Sequence, residues 1–280
     1  MPFDIRLKGI QTPARLYALC RLAHYRSMTR EELRDILQPL GLRKDKASHV
    51  QFDEVLYLAR QGELIEDEIG IVSMQMQAEE LASSDSFRRA LVKRIIARPE
   101  HIFCRFTAWY LQRGASVYSE NASTLMQEFD RELNQGKDKN VYSDTNITAW
   151  RTWAAFLGYG FIHSQVLVPN TFVRMSDALE EDNTLERDKI LPMKKFVEWM
   201  NYKCPELDYG PISRQNMGSA QLPAQHFSMG VSAGLRALHE AGRIELSYSS
   251  DATDVWFLGR VDAHEIRDRV SLARIRRWSA

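Results

Sequence analysis

Near both ends of this 280-residue chain stands the same local pattern: a helix with an apolar stripe, a Gly stop, then two short alternating segments. The first copy runs Val50 to Ala59, Gln61-Gly62, then Glu63-Leu64-Ile65-Glu66 and Ile69-Gly70-Ile71-Val72. The second runs Met229 to Glu240, Ala241-Gly242, then Arg243 to Tyr248 and Asp254 to Leu258. Apolar residues three and four apart predict a helix, and strict alternation predicts strands. Helix, glycine and β-hairpin form the second half of a winged helix-turn-helix, whose commonest use is contact with nucleic acid. The pattern therefore predicts a mainly α chain with small β-hairpins, built from multiple winged helix-turn-helix modules.

The segments between the two copies divide the chain further. Residues 1–77 read as an N-terminal winged helix. Thr12-Pro13 opens a helix whose Leu16, Leu19, Cys20 and Ala23 share one face. Thr29 and Glu32 make a capping box for a second helix with Leu33, Ile36 and Leu37 inward. A third starts near Asp45 and buries Phe52, Val55, Leu56 and Ala59. Residues 78–182 read as a helical middle: two helices split at Pro99, one over Ala122 to Leu133, and one opened by Ser143-Asp144. Gly158-Tyr159-Gly160 and the strand-like Phe161 to Val168 then make it a degraded copy of the module. Residues 183–221 read as a linker that begins in the acidic run Glu180 to Asp188. It carries an amphipathic helix over Pro192 to Lys203 and an irregular stretch from Leu207 to Pro223. Residues 222–280 read as a C-terminal winged helix with a closing helix, Ala263 to Trp278, that buries Ile266, Val270 and Ile275.

Charge limits the partners. Lys and Arg number 37, as do Asp and Glu, so the chain is neutral, unlike proteins that coat nucleic acid without specificity. The charge is nevertheless segregated. Arg88, Arg89, Lys93, Arg94, Arg98, Arg105 and Arg113 face only Glu100 within their own stretch, whereas acids gather at 63–68 and 177–188. Cys20, Cys104 and Cys204 have neither metal nor disulfide spacing and read as buried thiols of a reducing compartment. No apolar run is long enough to span a bilayer, and the charged start is not a signal peptide. The expectation is a cytoplasmic protein without a membrane partner.

In a helix-turn-helix the first turn of the last helix meets the duplex, where polar side chains reach phosphates and base edges. In the first module those residues are Lys44, Lys46, Ser48, His49 and Gln51; a merely solvated helix start is the bland alternative. In the middle the turn holds Thr145, Asn146, Thr148 and Arg151, beside Trp150 and Trp153, which read as core or interface. In the last copy Ser228, Gly230 and Ser232 are almost without charge and suit protein contact, with Arg236 and Arg243 left to touch phosphate. Arg88, Arg89, Lys93 and Arg94 suit the nucleic-acid backbone, or equally a solvated face over an aromatic core. The chain lacks a phosphate-binding loop, a dinucleotide fingerprint, HExxH and GxSxG, and no two histidines stand four apart. No enzyme, catalytic residue, metal or cofactor is expected.

Met28-Thr29-Arg30-Glu31-Glu32-Leu33, Leu37-Gln38-Pro39 and Gly70-Ile71 resemble the start of DpdG-like proteins. Ala149 to Tyr159, followed by Val168-Pro169-Asn170-Thr171, is similar to a second passage of that family. Those are accessory proteins of bacterial DNA-modification and phage-defence islands that use 7-deazaguanine bases. The resemblance implies a DNA-directed, non-catalytic component of a multi-protein system. Double-stranded DNA and other subunits of such a complex are the expected partners. An interaction scaffold without DNA contact, using Trp150/Trp153 and Phe103/Trp109 as docking surfaces, is the alternative, and a transcriptional regulator the third.

Overall fold

Thr12 accepts from the Arg15 amide at 3.4 Å and Pro13 sets the first helical φ, which opens α1 (Pro13–Tyr25). A two-residue strand, β1 (Met28–Thr29), leads into α2 (Arg30–Leu37) through the expected capping box. The Glu32 amide meets Thr29 Oγ1 at 3.2 Å, and the Glu32 carboxylate accepts from the Thr29 amide at 2.9 Å. A 3-10 turn over Leu40–Leu42 precedes α3 (Val50–Gln61). The computed structural model describes residues 8–43, 45, 49–134, 143–219 and 222–277. At the start of α3 the His49 side chain makes no capping bond. The buried Gln38 does its work from outside the helix, accepting from the Phe52 amide at 3.0 Å. After Gly62 the chain forms β2 (Ile65–Glu68) and β3 (Ile71–Met74). Strand β3 lies between β2 and β1, with Thr29 opposite Ile71 and Met28 opposite Val72. Leu16, Leu19, Leu33, Phe52, Leu56 and Val72 fill the interior of this unit.

The middle unit comprises α4 (Ser84–Ile96), α5 (Ile102–Leu111), α6 (Ala122–Phe129), α7 (Asp144–Phe156), β4 (Gly160–His163) and β5 (Val166–Pro169). Helix α5 is buried almost throughout. Its Phe106 and Tyr110 meet the Trp150 ring edge-on at 4.7 Å each, and Trp109 packs on Phe129. Trp153 donates to the Gln11 carbonyl at 2.5 Å, which ties this unit to the first. Trp150, Trp153, Phe103 and Trp109 are all buried, so none of them is the docking surface that the scaffold reading assigned to them.

The last unit repeats the order of the first. It runs α8 (Phe172–Glu181), β6 (Ile190–Pro192), α9 (Met193–Lys203), α10 (Pro211–Gln215), α11 (Met229–Glu240), β7 (Ile244–Ser247), β8 (Trp256–Phe257), β9 (Arg269–Val270) and β10 (Leu272–Ile275). Its sheet has the order β6-β10-β7, the same arrangement as β1-β3-β2. Two expectations are corrected here. The tail expected as a helix over Ala263 to Trp278 is not one as far as the described residues reach, to 277: Val270, Ala273 and Ile275 are buried while Arg274 is only partly so, and β10 pairs with β6 on one side and β7 on the other. The C-terminal flap is likewise made by β7 and β10, whereas β8, within 254–258, pairs with β9. The chain is thus mainly α with small antiparallel sheets, and about half of it is helical.

Helix α11 is anchored by Asp208, which is buried and accepts from the Ser228 amide at 2.6 Å. Burial pushes its carboxyl up to about 6, although the Ser228 hydrogen bonds oppose the shift. A carboxyl raised on folding stabilises fully below its unfolded value near 3.9, and that contribution is lost as pH rises through about 6. Asp208→Asn keeps an acceptor without the charge. It is expected to stabilise the chain by about 2–3 kcal/mol at pH 7.5 and by almost nothing near pH 4. Urea melts at the two pH values check this, and a gain that does not change with pH would contradict it.

Candidate nucleic-acid interface

Three helices occupy the place before a hairpin, α3, α7 and α11, and they differ in what covers their first turns. In α11 the turn is closed off. The Thr171 amide and hydroxyl both reach the Gly230 carbonyl at 3.2 Å. A Cβ on Gly230 would lie 2.9 Å from Pro169, and one on Gly234 would lie 2.6 Å from the Thr171 hydroxyl. Glycine at these two positions lets α11 approach β5 and α8 this closely. Arg236 is spent as well: it donates to the carbonyls of Gly259, Ile266 and Arg267 and holds the excursion between β7 and β10. It is not the phosphate contact expected of it. Arg243 lies 3.4 Å from Glu180.

In α7, Ser143 caps the helix and Asn146 is bound back to it, with the Ser143 amide on Asn146 Oδ1 at 2.8 Å. Thr145 and Thr148 are exposed. Arg151 is buried, and its Nε has no hydrogen-bond partner among the described residues. Burial lowers its basicity, with the Tyr110 hydroxyl opposing weakly.

Around α3 the arrangement is more open. Lys44, Lys46 and Ser48 lie outside the described residues. His49 precedes the helix, and its Nδ1 is buried without a hydrogen-bond partner among the described residues. Gln51 lines a shallow hollow of about 240 Å³ with Arg15, Ala14, Ala18, Leu37 and Gln38. Val50 and Tyr57 are exposed on the outward face. The two carboxylates of α3 are matched from outside it: Arg30 reaches Asp53 at 2.8 Å, and Lys8 pairs with Glu54. Arg15, exposed beside Gln51, was missed by sequence reading because nothing local distinguishes it from any arginine in a first helical turn.

The basic residues of α4 face protein. Arg88 grips Asp177 through Nε and Nη2 at 2.7 and 2.8 Å and also meets Asp85. Burial pulls its basicity down, and the bonds and charge of Asp177 more than reverse this. Arg89 meets Glu180 and Lys93 meets Glu181, each at 2.8 Å; Arg94 holds Glu80 with both terminal nitrogens. The acid run at 177–181 is therefore the counter-charge of the basic run at 88–93.

Among the described residues no three His, Cys, Asp or Glu side chains are placed to hold a metal ion. All three cysteines are free and buried, and burial pushes each thiol upward, Cys204 to about 12. No helix among the described residues is long and apolar enough to cross a membrane.

A family model described as DpdG-like matches residues 8–252. The chain belongs to the DpdG-like family. Membership connects it with the DNA-modification and defence islands in which the resemblance places the family. In this DpdG-like chain the match takes in every helix and strand of the first and middle units and the last unit as far as β7. No curated protein and no solved structure matches the chain.

Proposed function

We propose that the chain is a non-catalytic DNA-binding or DNA-positioning subunit of a DNA-modification or phage-defence complex. In this reading the first and last units are winged helices, and the middle one is a copy without the short first strand. The observation that carries it is the contrast between α3 and α11. They hold the same place in the same order of elements, yet α11 is packed against the middle unit while α3 presents an uncovered face. A duplex fits only the uncovered one. Lys44, Lys46, His49 and Gln51, with Arg15 beside Gln51, form the proposed contact set. Lysines serve phosphates as point charges, and Gln51 has the donor and acceptor to meet a base edge.

The α4 cations do not belong to that set, since α8 and Glu80 already neutralise them. A scaffold role is the second reading, favoured by the same ion pairs. Fluorescence anisotropy on a labelled duplex of about 25 base pairs, at 50 and 200 mM salt, separates the two. DNA binding predicts a fall in affinity of tenfold or more over that range, since several phosphate contacts are lost to counterions. No measurable binding at the lower salt would favour the scaffold.

A further inference from the structure

We infer that the tip of the β2–β3 hairpin is a docking knob for a partner protein, which receives it in an apolar socket bordered by Lys or Arg. The hairpin turns on two residues, Ile69 and Gly70, with φ of +52° and +77°. A two-residue turn with both φ positive is ordinarily Asn-Gly, because a β-branched residue is strained there. The β4–β5 hairpin has polar residues at the same two places, Ser164 and Gln165, at φ +46° and +64°. Ile69 is nonetheless apolar and wholly exposed, and Ile71, beside it on β3, is exposed as well. Neither folding nor solubility calls for isoleucine at this tip.

The charges around the pair identify the occupant. Register places Ile71 opposite Glu68 on one side and Thr29 on the other, and places Ser73 opposite Glu66. Other acids of this run have cations of their own: Glu63 meets Arg98, and Asp67 lies 3.8 Å from Arg60. Among the described residues Glu66 accepts from the neutral Gln75 amide at 2.8 Å and meets no cation, and Glu68 meets none either. Two exposed isoleucines rimmed by two unmatched carboxylates complement an apolar, cationic surface and repel a phosphate backbone. This inference stands apart from DNA contact at α3, so either can fail alone.

The test uses the full chain with a benzophenone amino acid at position 69, irradiated in the native host. The expected product is an adduct to one other protein, at a peptide with apolar residues flanked by Lys or Arg. Glu66→Lys with Glu68→Lys should cut adduct yield about tenfold, and reversing the partner's basic residues should restore it. With that partner purified, Ile69→Asn should weaken binding about tenfold or more while leaving the melting temperature equal or higher, because asparagine suits the turn. An adduct to DNA, an adduct to a second copy of this chain, or no adduct would overturn the inference. So would binding that is indifferent to Ile69→Asn or to charge reversal.

Discussion

Glu206→Ala is expected to destabilise the chain by about 3–5 kcal/mol, because it leaves a buried guanidinium without its counter-charge. Arg174 and Glu206 are both almost fully buried, and Arg174 Nε lies 2.7 Å from Glu206 Oε1. Tyr159 donates to the same oxygen at 3.0 Å, and Arg174 Nη2 donates to the Lys203 carbonyl at 2.7 Å. The cluster therefore joins the middle unit to α8 and to the segment after α9. At this chain length the loss corresponds to a fall in melting temperature of roughly 5–9 °C. The double variant Arg174→Met with Glu206→Met removes both charges, and with them both desolvation costs. It should recover most of the loss in the same thermal and denaturant melts. A double variant as unstable as Glu206→Ala would mean that shape and hydrogen bonding, rather than charge, hold this junction.

Trp150→Ala is expected to cost about 3–5 kcal/mol by the same measurement. The indole is completely buried, meets Phe106 and Tyr110 edge-on, and donates to Thr107 Oγ1 at 2.9 Å. Truncation removes the ring's burial and opens a cavity that packed helices close only in part. Trp150→Phe keeps most of the ring contacts and loses the bond to Thr107, so about 1–2 kcal/mol is expected. A cost below about 1 kcal/mol for the alanine variant would contradict the packing described for α5 and α7.

Elements held by local chemistry could be read from the sequence. The Thr12-Pro13 start, the Thr29–Glu32 box and the stripes of α3 and α11 stand where their residues place them. Elements decided by distant partners could not. Helix α8 escaped notice because its stripe of Met175, Ala178 and Leu179 is interrupted by Arg174 and Asp177. Both are buried only because Glu206 and Arg88 receive them. The tail looked helical because Ile266 and Val270 stand four apart, yet its pairing with β6, about eighty residues earlier, makes it a central strand. In the site, the basic run at 88–93 had a visible counterpart: cations at 88, 89 and 93 and acids at 177, 180 and 181 are spaced to mate across two helices. What distinguishes α3 from α11 is coverage by another unit, and no local pattern carries that.

The central claim is that the chain meets a duplex through the start of α3 and not through α4. Duplex affinity at 50 mM salt, measured on three folded proteins, tests it most directly. Lys44→Glu with Lys46→Glu should weaken binding tenfold or more, whereas Arg89→Gln with Lys93→Gln should leave it within about twofold of the parent. Equal affinity for the parent and the α3 variant, or loss only in the α4 variant, would contradict the claim.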